Sequence, residues 1–348
     1  MGDEERQQLR GNPDWMSCLP EELLDVPLWN LAIPGSHDSM SFCLDVSSPV
    51  LRSEPCLLRG MDRLFPCCTR PCVSRWATTQ QSVLSDQCDL GIRFLDLRIA
   101  KKPSGGSRLF FAHGIYTLVT VKEALDELAT WLDAHPQEIL IISCSHFESL
   151  TDEDHVHLVK FIIWLFGKKL CSSQDTPTLR SCWSRGQQVV VSYDNQQMVL
   201  QHPELWTGIP YWYADSPDPK KVIVYLEDQK CRGRPAGFYA IGLNLTEDAP
   251  YVLLHPLQNM KKMTMRALSV LLRWASEQRP GSEAGRVNIL CCDFVGVSQF
   301  CSLVIGLNYK LLRGASTSAP RSVRRTPAAS ASEVTGCCHS NRTGDPTP

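Results

Sequence analysis

An α/β fold built on a parallel sheet is what this sequence predicts, on three observations. Seven short apolar runs are each bounded by Gly, Pro, Asp or Ser, as strand ends usually are. Amphipathic helical segments lie between them, with apolar residues recurring on one face. The strand-then-helix order then repeats from about residue 27 to 313, which calls for parallel strands with helices packed on them. Periodicity alone does not choose between an open sheet and a closed barrel. At 348 residues and 43% hydrophobic, the chain can bury a large core, and a single barrel of this length is ordinary.

In chain order, residues 1–22 are polar and read as a loose lead-in. The strand candidates are Trp29–Ile33, Ile92–Ile99, Leu109–Ala112, Ile139–Cys144, Gln188–Tyr193, Phe238–Leu243 and Val287–Cys292. Val50–Thr79, rich in Pro and Cys, interrupts the rhythm and reads as a long excursion after the first strand. Val121–Ala134 is a helix candidate because Ala124, Leu125, Leu128 and Leu132 share a face. Met263–Gln278 carries Leu268, Leu271, Leu272 and Ala275 at similar spacing. Residues 315–348 are rich in Ser, Ala and Pro without periodicity, the composition of a disordered tail. The expected organisation is therefore a lead-in over 1–22, one α/β domain over 23–314 and a tail over 315–348.

Lys plus Arg number 35 against 37 Asp plus Glu, so the chain lacks the basic footprint of a nucleic-acid binder. The same balance excludes strong overall attraction to anionic membranes, though it leaves room for local patches. Sixteen cysteines are scattered with no CxxC spacing, which removes the zinc-ribbon and thioredoxin patterns. No apolar leader heads the sequence, and the longest apolar run, near Phe161–Phe166, is too short to cross a bilayer. The expectation is a cytoplasmic protein with reduced cysteines and no cofactor.

Three segments carry chemistry. Ile33-Pro-Gly-Ser-His37-Asp38 places an imidazole just beyond a strand, at the end where parallel barrels keep their catalytic groups. In Phe94-Leu-Asp96-Leu-Arg98 the alternation puts Asp96 and Arg98 on one face with Phe94, and Leu95 and Leu97 with Arg93 on the other. Two charges on an otherwise apolar face are costly unless paired or used. Phe110-Phe-Ala-His113-Gly again ends an apolar run in an imidazole. Each alone has a bland reading: a core histidine, or a strand-end ion pair. Together they would gather two histidines and an arginine at one barrel mouth. That set suits cleavage of a phosphodiester by an internal hydroxyl, with one imidazole as base, the other as acid and a guanidinium on the phosphoryl oxygens.

These residues resemble a known family. Pro34-Gly35-Ser36-His37-Asp38-Ser39, Arg93–Arg98 and Ala112-His113-Gly114 look like the X-box of phosphatidylinositol-specific phospholipase C. More closely, about residues 15–313 resemble the animal phosphatidylinositol-specific phospholipase C X domain-containing proteins, with Trp183–Val189, Gly242–Thr246 and Cys292-Asp293-Phe294 extending the match. The resemblance implies a distorted TIM barrel and an inositol phospholipid substrate met through transient contact with a membrane surface. It implies His37 as base toward the inositol 2-hydroxyl, His113 as acid toward the diacylglycerol oxygen, Asp293 as partner of His37 and Asp38 as partner of His113.

The family's calcium-dependent animal enzymes carry Asn at the position of Asp38 and an acidic ligand at that of Arg98. Here a fixed cation stands there, as in the bacterial enzymes, so no metal is expected and Asp96 is expected to hold Arg98. The bacterial enzymes also carry a Lys on the strand matching Ile139–Cys144, where this chain has Ser143-Cys-Ser-His-Phe147. Substrate recognition is therefore expected from Tyr193 or from Tyr213 in the Tyr211-Trp-Tyr213 cluster, and membrane docking from loops such as Pro66–Trp76. The absent Lys also motivates an alternative, a catalytically weak phosphoinositide-binding scaffold using the same pocket. A glycerophosphodiesterase would want a carboxylate-rich metal site, which is missing around Arg98.

Overall fold

The computed structural model describes residues 11–255 and 258–315. Ten strands form one sheet: β1 Ile33–Ser36, β2 Phe94–Ala100, β3 Phe110–His113, β4 Ile115–Thr120, β5 Leu140–Glu148, β6 Val189–Tyr193, β7 Leu205–Trp206, β8 Tyr211–Trp212, β9 Ala240–Gly242 and β10 Ile289–Cys292. Eight of them pair in parallel in the order β7-β6-β5-β2-β1-β10-β9-β8. The two outermost, β7 and β8, have two residues each and do not pair with one another. The result is a single α/β domain whose curled sheet forms a distorted, incompletely closed barrel.

The alternation read from the sequence decides what faces where. Ile33, Phe94, Ile141, Val190, Ala240 and Ile289 converge in one buried cluster, the barrel interior. Leu95, Leu97 and Ile99 join the other layer, against helices α3 Leu84–Leu90, α4 Val121–Ala134 and α5 Asp152–Phe166. Helix α4 starts at a capping box, Thr120 accepting from the Glu123 N–H while the Glu123 carboxylate accepts from Thr120 N. No described helix is long and apolar enough to cross a membrane.

Several expectations are corrected. Residues 11–22 are not a loose lead-in, because Trp15, Met16 and Leu19 are buried in the interior cluster and the Trp15 indole donates to Gly91 O at 2.9 Å. The first strand lies at Ile33–Ser36, after a short 3-10 turn at Leu28–Asn30. Pro34 and Gly35 are thus inside the strand, where a Cβ on Gly35 would meet the Cys291 sulfur at 2.6 Å. Pro66–Trp76 is helical too: the excursion folds as a hairpin of α1 Cys56–Leu64 and α2 Pro66–Ala77. Residues 316–348 of the expected tail lie outside the described residues.

Arg93 and Glu138 make a fully buried ion pair at 2.6 Å. Their remaining polar atoms are used: Arg93 also donates to Cys88 O, Ile92 O and Pro13 O, and Glu138 accepts from the backbone of Met16 and Ser17. Removing one partner strands a charge in the core. Glu138→Ala should therefore lower stability by about 3–5 kcal/mol, read as a lower denaturant midpoint. An unchanged midpoint would contradict this account of the pair.

Candidate active site

The C-terminal ends of β1, β2, β3, β5 and β6, with β8 and the loop after β9, surround a polar cavity of about 450 Å³. It is lined by His37, Asp96, Arg98 and His113, and further by Ser143, Ser145, His146, Asp194, Tyr211, Tyr213, Asn244 and Glu247. His37 follows β1 directly, and Asp38 turns the chain away with a left-handed backbone (φ 41°). Phe294 does the same after Asp293 (φ 53°). Such backbone is strained for a non-glycine residue and recurs where function fixes geometry. Gln80 ties the two strand ends together, its amide donating to both His37 O and Cys292 O.

His113 arrives by a different route from the one expected. Strand β2 runs on past the mouth, and β3 returns antiparallel to it, with Ile99 opposite Phe111. His113 therefore descends toward the cavity instead of rising from a parallel strand. Its ring centroid lies 6.2 Å from that of His37.

The hydrogen bonds fix the tautomers. Arg98 Nη2 lies 3.0 Å from His37 Nε2 and can only donate, so Nε2 accepts. The His37 proton then sits on Nδ1, donated to Asp293 Oδ1 at 2.8 Å. His37 thus turns a lone pair toward the cavity, held by a carboxylate behind it. His113 donates from Nδ1 to Ala77 O at 2.7 Å, because a carbonyl only accepts. Its Nε2 faces Asp38 Oδ2 at 3.2 Å, a geometry that suits a second proton on that ring.

Asp38 is the hub. Its carboxylate holds Arg98 Nε at 2.5 Å and lies within 3.3 Å of both imidazole Nε2 atoms. Asp96 is the weaker partner of Arg98, at 3.4 Å, and it also accepts from Asp38 N at 3.2 Å. His37, Asp38 and Asp96 together form a cluster that could hold a metal ion, and the Arg98 guanidinium contacts all three.

Burial and charge set the proton affinities. Burial works against a charge on His37, but Asp38 and Asp293 outweigh it and its pKa lies above the ordinary imidazole value. Burial dominates at His113, where Asp38 offsets it only in part and Arg98 adds to it, so that pKa lies lower. Despite burial, Arg98 and the two imidazoles hold Asp38 below the usual carboxylate range. Burial pushes Asp293 up, against the pull of His37. These directions favour a proton on His37 over one on His113, whereas the hydrogen bonds are those of a neutral His37 and a cationic His113.

The five residues expected at the catalytic centre all meet here. Tyr213, about half exposed, lines the mouth. Tyr193 does not reach the cavity: it is buried in the layer between sheet and helices, its hydroxyl 2.8 Å from His155 Nδ1. Strand alternation explains this, since Ser192, not Tyr193, points inward to Thr207 O. Sequence reasoning named Tyr211 only as a member of its aromatic cluster and gave no role to Asn244 or Glu247, all three of which line the cavity. Burial first, then Asp293 and Glu54, pushes the Glu247 carboxyl up to about 7. The rule that found His37, a polar residue just beyond a strand end, applies equally to Asn244 after β9.

Beside the polar cavity runs an apolar groove of about 530 Å³ between α1, α2 and the segment near Val252. Leu58, Phe65, Val73 and Trp76 line it, and it shares His113 and Glu247 with the cavity.

The comparisons agree with this architecture. The family model described as PI-PLC X 1 matches residues 73–220, a span that includes Arg98 and His113 and begins after His37. The chain is 53% identical over 298 residues to the PI-PLC X domain-containing protein 1 of Danio rerio, covering 85% of this chain and 96% of that protein. It is 45% identical to that of Homo sapiens, covering 86% and 94%. Among solved structures it resembles the phosphatidylinositol-specific phospholipase C of Staphylococcus aureus, with a TM-score of 0.59 at 17% identity over 86% of this chain and 99% of that one. The Listeria monocytogenes phosphatidylinositol-specific phospholipase C gives 0.58 at 18%, over the same shares. With relatives this similar along nearly their whole length, and with a barrel of the same type, the chain belongs to the PI-PLC X domain-containing protein family.

Proposed function

We propose that this protein is a metal-independent phosphodiesterase of the phospholipase C type, cleaving inositol phospholipid into diacylglycerol and an inositol phosphate. One observation carries the reading: two imidazoles with opposite hydrogen-bonding roles flank the Asp38–Arg98 pair, their rings 6.2 Å apart. His37 Nε2 removes the proton of the inositol 2-hydroxyl as that oxygen attacks phosphorus. His113 Nε2 gives a proton to the diacylglycerol oxygen as its bond to phosphorus breaks. Arg98 offsets charge on the phosphoryl oxygens, and Asp293 and Asp38 orient the rings. Asp96 and Tyr213 are substrate contacts in this reading. Water attack on the cyclic product, with the two imidazoles exchanging roles, gives the open inositol phosphate.

The guanidinium spanning His37, Asp38 and Asp96 supports metal independence, because a calcium site needs several free oxygen ligands. The apolar groove supports the orientation: it meets the polar cavity at His113, the side from which a lipid leaving group would depart. Exposed Leu57, Leu64 and Phe65 beside it suit transient membrane contact by a cytoplasmic protein.

A second reading, a catalytically weak headgroup binder, is favoured by the proton affinities, raised at His37 and lowered at His113. Only the minor singly protonated form, with His37 neutral and His113 charged, is ready to react. The pH dependence of kcat/KM tests the pair. It should be bell-shaped, with the acid flank below about 6.5 and the alkaline flank above it. On the acid side both rings are charged and no base remains; on the alkaline side both are neutral and no acid remains. Glu247→Gln, removing a carboxyl that burial pushes up to about 7, should keep both flanks. A rate that rises to a plateau with no alkaline fall would contradict an imidazolium acid.

A further inference from the structure

A second basic site lies on the far side of the α1–α2 hairpin from the apolar groove. Arg52, Arg59, Arg63 and Arg70 line a cavity of about 340 Å³ with a single carboxylate, that of Asp62. Asp62 is already committed: it is buried, holds Arg70 Nε at 2.6 Å and accepts from Val50 N. Among the described residues no carboxylate lies within ion-pair distance of Arg52, Arg59 or Arg63. Arg59 Nε is buried with no hydrogen-bond partner. Four guanidinium groups against one carboxylate leave a formal charge of 4 − 1 = +3 around one pocket, in a chain whose net charge is −2. Arg52 and Arg63 are exposed at its rim, and the buried, unpartnered Arg59 N–H is costly as it stands, so the pocket suits an anion with several acceptor oxygens.

We propose that this pocket is a phosphate-binding site separate from Arg98, taking a dianionic phosphate monoester. A planar guanidinium set matches phosphate oxygens in paired hydrogen bonds, and a monoester offers more charge and more free oxygens than a diester. The ligand would bridge Arg52, ahead of α1, with Arg59 and Arg63 on α1 and Arg70 on α2. It would thereby brace the hairpin whose other side forms the apolar groove. The proposal does not depend on turnover, and its test reads binding alone.

Two arms separate a lipid headgroup from a soluble source. In the first, the full chain is sedimented with phosphatidylcholine vesicles with and without phosphatidic acid, which lacks inositol. In the second, its melting temperature is followed as inorganic phosphate is added. Wild type should gain vesicle binding with phosphatidic acid, gain melting temperature with phosphate, or both. Arg59→Gln combined with Arg63→Gln should reduce whichever response occurs on the order of tenfold, with a melting temperature in the absence of phosphate no lower than that of wild type. Arg98→Gln should leave the response in place. A response in vesicles alone assigns the site to a membrane lipid; one with phosphate alone assigns it to a soluble ligand. If neither ligand binds, or the double variant responds like wild type, there is no such site.

Discussion

His113→Ala should slow cleavage of phosphatidylinositol by at least about 10²-fold, while costing far less on an inositol aryl phosphodiester with a good leaving group. The contrast follows from where the ring sits. His113 lies at the junction of the polar cavity and the apolar groove, with Nδ1 donating to Ala77 O and Nε2 beside Asp38. Its proposed task is to protonate an alkoxide, and a phenolate needs little such help. The pH profile should change as well. Without the acid, the variant on the aryl substrate should lose the alkaline fall and keep only the acid flank, set by His37. Equal losses on both substrates would remove His113 from the leaving-group side.

His37→Ala should lose a comparable factor, at least about 10²-fold, on both substrates alike. Removal of the 2-hydroxyl proton is needed whatever group departs. The neutral tautomer argued from Arg98 and Asp293 makes the Nε2 lone pair the nearest base in the cavity. A leaving group that rescued His37→Ala would mean that another residue takes this proton; Glu247 lines the same cavity and would be the first to substitute. The two variants therefore form a pair of controls: one is rescued by leaving-group chemistry and the other is not.

Much of this site is legible in the sequence, and the reasons are physical. The alternation in Phe94–Arg98 separates interior from outer layer without ambiguity, since a strand has only two faces. The α4 helix was plain because its apolar residues share one face, and the structure adds a capping box at its start. What was missed had weaker local signals. β7 and β8 have two residues each, too few for any period to register. The α1–α2 hairpin was hidden by Pro66 and Pro71, which argue against helix unless one stands at a first turn, as Pro66 does. Trp15, Met16 and Leu19 looked like isolated apolar residues in a polar stretch, and only the open bottom of the barrel gives them a common place. Tyr193 illustrates the reverse error. Residue type suggested a substrate contact, whereas its neighbour Ser192 holds the inward position. Asp38 was expected to serve one histidine and instead reaches both, which no spacing rule could have revealed.

The most direct test is turnover of phosphatidylinositol by the purified chain in the presence of a strong calcium chelator, with soluble inositol phosphates resolved by chromatography. The account predicts a cyclic or open inositol phosphate appearing at the same rate with and without chelator. Product that forms only when calcium is restored, or lipid that binds and is never cleaved, would contradict it.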